Sequence, residues 1–157
     1  MWFRKDIAIA LWLILFSFLT HLPFLNLPPC GAHVWRQCNT LAMSRNFCEE
    51  GGKITEARID RRNETNGITG SHFPLYEYVL GQVYKVFGTS DSIARVYSLL
   101  IFTIGLFGFF RLTFYFSDNR INNFIVTLIF GSIPQLYYDS INALPDILAL
   151  SLSIWSM

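Results

Sequence analysis

Charge is scarce in this sequence. Asp, Glu, Lys and Arg make up 15% of its 157 residues, against about a quarter in an ordinary soluble domain. A conventional water-facing surface is excluded on that ground. The net charge is only +1, so no strong field of either sign exists to attract nucleic acid, and no nucleic-acid partner is expected. Cysteine is sparse too. Cys30, Cys38 and Cys48 share one stretch, match no zinc-ligand spacing, and as an odd number leave at least one thiol unpaired in an oxidising compartment. Free thiols are the expectation. Acidic residues are missing altogether between Asn26 and Phe47. Asn63-Glu64-Thr65 fits the glycosylation tripeptide, a pattern too short to carry weight.

What the chain has in excess is apolar: 52% hydrophobic and 17% aromatic residues, the composition of a membrane protein. Ile7 to Leu25 approach the roughly 20 apolar residues that cross a bilayer, and Arg4 and Lys5 precede them. A first span running outward from the cytoplasm is predicted. A secretory signal peptide is the rival reading, but "LTHLPFLNLPP" offers no clean small-x-small cleavage site. Further spans are expected at about 92–116 and 121–138, the latter bent or loosened at Pro134, with another beginning at 146–157. Ser90-Asp91 is placed to cap the first of these, and Arg95 and Arg111 sit near its ends, where they can snorkel.

Residues 26–91 read as an external loop. A short helix is expected at Thr40 to Phe47, and a brief extended piece at Lys53 to Ile59 between glycine turns. "FPLYEYVLGQVYKVF", within 73–88, starts with Pro74 where a helix can begin and is amphipathic, with Tyr76, Leu80, Tyr84 and Phe87 on one stripe and Glu77, Gly81 and Lys85 on another. It is expected to lie in the external interface with its aromatics toward the headgroups, a short tilted span being the alternative. With that helix outside, Arg111 and Arg120 share the cytoplasmic side with Arg4 and Lys5, as the positive-inside tendency favours.

Four ordered blocks, "HVWRQCNTLAMSRNF", "ARID", "FPLYEYVLGQVYKVFGTSDSIARVYSLL" and "YYDSINALPDILAL", cover most of the chain. Together they resemble the amino-terminal part of the GT-C membrane glycosyltransferases, relatives of the protein O-mannosyltransferases and of the bacterial aminoarabinose transferases of lipid A. The resemblance implies an all-α, polytopic helical bundle with juxtamembrane amphipathic helices in its first external loop. It implies an enzyme of the bacterial inner membrane, or an equivalent plasma membrane, that takes a sugar from a polyprenyl- or dolichyl-phosphate donor. The acceptor would be a lipid, glycan or protein on the external face. It also implies that the chain is an amino-terminal portion, inactive without further spans or a partner membrane protein.

Such a transfer needs a group to take the acceptor's proton, positive charge on the leaving phosphate, and an apolar path for the lipid. Arg36 and Arg45 are candidates for the phosphate, with a bidentate geometry that Lys lacks; ion pairs with Glu49, Glu50 or headgroups are their structural alternative. Trp35 would stack on a sugar or anchor at the interface, and Gln37 completes the Trp-Arg-Gln motif. Where that family often carries Asp, this chain has Asn39, which can hydrogen-bond a sugar or phosphate but accepts no proton. Asp60, in "ARID", is then the first candidate for a surviving carboxylate, with a salt-bridge run at "DRR" as its alternative. Asp146 is both a candidate donor-binding acid near the bilayer and a natural partner of a helix N-terminus. His72 stands where relatives often have Glu, and it and His33 are the candidate ligands if a divalent metal assists. Two other readings stay open: a non-catalytic scaffold of the same family, supported by Asn39 and His72, and a transporter fragment, with Gly105, Gly108 and Pro134 as its hints.

Overall fold

A computed structural model describes residues 2–70 and 72–157, with side chains from Ile7 onward, and its elements are helical. Helix α1, Trp2–His21, continues the expected first span into a short 3-10 turn at Leu22–Phe24. Arg4 and Lys5, which carry the orientation argument, have side chains outside the described residues. Helix α4, Asp91–Leu112, is preceded by Ser90, whose Oγ accepts from the Ser92 amide at 3.2 Å, so the expected start of this helix is borne out one residue early. Among the described residues two helical stretches are long and apolar enough to cross a bilayer, Ile7–Phe24 and Asp91–Tyr115, with mean hydropathies of 2.1 and 1.9.

The expected span at 121–138 is corrected. That stretch is two helices, α5 at Arg120–Gly131 and α6 at Pro134–Ile141. Proline has no N–H to give and its ring clashes with the preceding turn, so Pro134 opens a new helix instead of bending the old one. Twelve residues of α5 reach about 18 Å, short of a hydrocarbon core of about 30 Å. Helix α7, Asp146–Trp155, starts after Pro145 as expected.

The chain divides into two compact units. The first comprises Met1–Leu25, Ser98–Ile141 and Asp146–Met157. Its core joins Leu13, Leu99, Phe102, Leu106, Phe110 and Ile147. Gly105 and Gly108 let α7 come close to α4: Ser151 donates to the Ile101 carbonyl and the Trp155 indole to that of Ile104, each at 3.1 Å. His21 is wholly buried, its Nδ1 2.7 Å from the Ser17 carbonyl and its Nε2 2.9 Å from the Ser140 hydroxyl, and its ring stacks on Tyr137. The opposite surfaces are apolar, with Leu11, Trp12, Leu15 and Leu19 of α1 and Ile121, Ile125 and Ile129 of α5 exposed.

The second unit, Asn26–Tyr97 with Asn142–Pro145, contains helices α2, Val34–Glu49, and α3, Leu75–Phe87. Helix α2 is twice as long as the helix expected at Thr40 to Phe47, because its hidden face is largely polar and shows no apolar period. Gln37, Thr40, Ser44 and Asn46 are buried there beside Met43 and Phe47. Thr40 meets Glu77 and Ser44 meets Gly81, so the two helices run in the same direction. The aromatic stripe of α3 does not face outward as a whole. Tyr76, Leu80 and Tyr84 are buried in the unit together with Glu77 and Gly81, while Phe87, Val86, Val79 and Lys85 are exposed. The expectation is corrected because α3 must cover the polar face of α2 with its broadest side.

Between α2 and α3 the extended piece exists as a single antiparallel bridge, Arg58 to Ile68. The Ile59 and Thr69 amides donate to Gly67 and Ala57 across it. The start of α4 closes the unit through Arg95, only 5% exposed, whose guanidinium donates to the carbonyls of Leu27 and Pro28, both at 2.8 Å, and to Asn142 Oδ1 at 3.2 Å.

Candidate functional site

The second unit holds all but one of the residues singled out in the sequence. The turn before α2 uses the left-handed backbone of Gly31 and His33, with φ of 78° and 55°. The His33 carbonyl then accepts from the Arg36 and Gln37 amides, at 2.9 and 3.0 Å. His33 is thus the residue on which α2 starts. Buried Gln37 fastens the turn, its Nε2 donating to Cys30 and Ala32 carbonyls at 3.1 and 2.9 Å. Trp35 is 68% exposed. Arg36 and Asn39 are half-buried on the same helix.

Arg45 and Asp60 are brought together. The guanidinium of Arg45 donates to Asp60 Oδ2, and the Asn46 amide donates to Asp60 Oδ1 at 3.2 Å and to the Arg58 carbonyl at 2.7 Å. Both members of the ion pair are about half exposed. A surface pair of this kind contributes about 0–1 kcal/mol, so it orients Asp60 more than it stabilises the fold. The "DRR" run forms a second group, with Glu50 accepting from Arg62 and, at 3.2 Å, from Arg58.

The hydrogen bond from Arg62 holds the Glu50 carboxyl below the usual carboxylate range, and Arg58 adds to it. A lowered folded-state pKa means that this contribution is complete above the unfolded value, about 4.3 for Glu, begins to fade below it and is lost as the pH falls through the lowered folded-state value. Acidification from neutrality to below that value is therefore expected to weaken the bridge first. Hydrogen exchange at the Ile59 and Thr69 amides, corrected for intrinsic rates, should speed up before the core amides of α4 do.

The third grouping was missed in the sequence. Glu77 is fully buried, with Oε1 2.8 Å from His72 Nε2 and 3.5 Å from the Thr40 hydroxyl. Its Oε2 has no hydrogen-bond partner. A usable signal was present: Gly81 lies one turn beyond Glu77, and a glycine on a helix face marks close packing, so an acid on the same stripe is buried with it.

Asp146 lies apart, in the first unit, exposed in the opening turn of α7 where an acid complements the helix dipole. No group of three or more His, Cys, Asp or Glu side chains is gathered as a metal site among the described residues. His33 and His72 are not part of one cluster. The three cysteines form no disulfide; Cys30 and Cys38 are exposed and Cys48 is half-buried. Comparison of the chain with protein-family models, with curated proteins and with solved structures finds no match.

Proposed function

We propose that this chain is the amino-terminal part of a GT-C-like membrane glycosyltransferase, which moves a sugar from a polyprenyl- or dolichyl-phosphate to a lipid, glycan or protein. The four sequence blocks that resemble this family carry the proposal. One observation in the fold supports it: the first two blocks, the third as far as Tyr97, and Asn142–Pro145 from the middle of the fourth pack into one unit with buried polar chemistry. The apolar surfaces of α1 and α5 would cost free energy in water and fit a lipid surround. Exposed Trp35, Phe73 and Phe87 suit the headgroup boundary.

In this reading the protein is a multi-pass protein of a bacterial inner membrane or equivalent, with a cytoplasmic N-terminus. Arg36 takes the donor phosphate and Trp35 the sugar, with Arg45 as a further donor contact. Asn39 hydrogen-bonds the substrate. The two long apolar helices are too few for a full bundle, so transfer requires other spans, from the same polypeptide or from a partner.

A scaffold without catalysis is the second reading. The pairing of Arg45 with Asp60 favours it, because each occupies the group the other would offer to substrate.

Photoactivatable polyprenyl phosphate, added to native membranes containing the protein, tests the proposal. Labelling is expected between Trp35 and His72 and should be competed by unlabelled polyprenyl-phosphate sugar but not by neutral polyprenol. Labelling confined to Gly105 to Pro134 would favour a transporter. Specific labelling in membranes that transfer no sugar would favour the scaffold.

A further inference from the structure

Removing a carboxylate from water is costly unless its oxygens find donors or a counter-ion, and an orphaned buried acceptor costs about 1–3 kcal/mol. Glu77 has that defect at Oε2. Its nearest partner, His72, is different: 35% of the His72 side chain is open to solvent while the Glu77 side chain is wholly enclosed. The fold therefore couples an enclosed carboxyl group, through a 2.8 Å hydrogen bond, to an imidazole that a substrate can approach. The other acid candidates lack this arrangement. Asp60 already has both oxygens engaged, by a guanidinium and an amide, and Asn39 accepts no proton.

We propose that His72 and Glu77 form the proton-accepting dyad of the transfer reaction, with His72 as catalytic base and Glu77 as its positioning residue. The inference rests on the glycosyltransferase reading above. In the step, the acceptor hydroxyl gives its proton to Nδ1 of His72 and its oxygen electron pair forms the bond to the anomeric carbon. The bond from that carbon to the lipid phosphate breaks, and its electron pair leaves on the phosphate oxygen. The products are the glycoside, the polyprenyl phosphate with one more negative charge, and an imidazolium that later returns its proton to water.

The contribution of Glu77 is differential. As the proton arrives, the carboxyl faces a growing positive charge on the ring, so the same contact strengthens as the barrier is climbed. Thr40, on α2, donates to the same carboxylate oxygen, Oε1, at 3.5 Å.

Native membranes holding the natural-length protein are assayed with a panel of sugar-labelled polyprenyl phosphates, the membranes supplying acceptor. His72→Ala is expected to lower kcat by about 100-fold or more with the donor KM little changed, and added imidazole is expected to restore part of the rate. Glu77→Gln fills the same space with the same reach, so a purely structural Glu77 would tolerate it; a comparable loss of kcat is expected instead. A His72→Ala protein that transfers at the wild-type rate, or a loss that imidazole leaves untouched, overturns the dyad and leaves the glycosyltransferase reading standing. No transfer by wild-type membranes from any donor of the panel overturns that reading, and the dyad with it.

Discussion

Arg95→Ala is expected to cost the second unit about 2–4 kcal/mol through lost charge-assisted hydrogen bonds, a large part of the stability of an ordinary domain. The guanidinium is buried and holds two stretches that are far apart in sequence, the Leu27 and Pro28 carbonyls and the Asn142 side chain. Truncation removes these bonds at once and leaves Asn142 Oδ1 as a buried acceptor, with the Leu27 and Pro28 carbonyls partly shielded. Each buried acceptor so abandoned costs about 1–3 kcal/mol. The planar fork matters as well as the charge, because its nitrogens reach acceptors in different directions, which a single ammonium does not. Arg95→Lys should therefore recover less than half of the loss. Thermal unfolding in lipid nanodiscs, followed by proteolysis of the 26–33 segment, reads both variants; an unchanged midpoint for Arg95→Ala would contradict this role.

The second large effect is expected at the crossing of α2 and α3. A Cβ built on Gly81 would lie 2.8 Å from the Phe47 Cβ and 2.9 Å from the Ser44 carbonyl oxygen. Both are parts of a helix backbone or sit directly on it, so neither can swing aside. Gly81→Val must push the helices apart, at about 3 kcal/mol for overpacking of this kind. Separation would also open the lid over Glu77 and Thr40, so loss of stability should be accompanied by faster exchange of α2 amides. Gly70→Ala is the control: nothing lies within 4 Å of its Cβ position, and a change within about 0.5 kcal/mol is expected. Equal midpoints for the two variants would rule out close packing at Gly81.

Where residues differed sharply in hydropathy, the fold could be read in advance. The long apolar runs of α1 and α4 needed only composition, and Pro145-Asp146 announced the start of α7. Helix α2 was hidden because periodicity assumes an apolar buried face, whereas this helix buries Gln37, Thr40, Ser44 and Asn46. Their hydrogen bonds go to partners that no local pattern reveals, such as the Cys30 and Ala32 carbonyls for Gln37 and the Arg58 carbonyl for Asn46. The same limit applies to the candidate site. "ARID" drew attention to Asp60, and the structure ties that residue to Arg45. Glu77 passed as one more interfacial acid, since its burial depends on a helix that ends 25 residues before α3 begins. Pro134 was read as a bend, and the helix instead ends and restarts, because local sequence gives no measure of whether neighbours will hold a kinked helix together.

Asn142–Pro145 belong to the same compact unit as Asn26–Tyr97, and this has a consequence for biosynthesis. The unit spends the synthesis of more than forty residues, those from Ser98 to Ile141, without the side chain that meets one arm of Arg95. During that interval the segment around Leu27 and Pro28 has only part of its final anchorage. A ribosome stalled before Asn142 would therefore present the second unit without that closing contact.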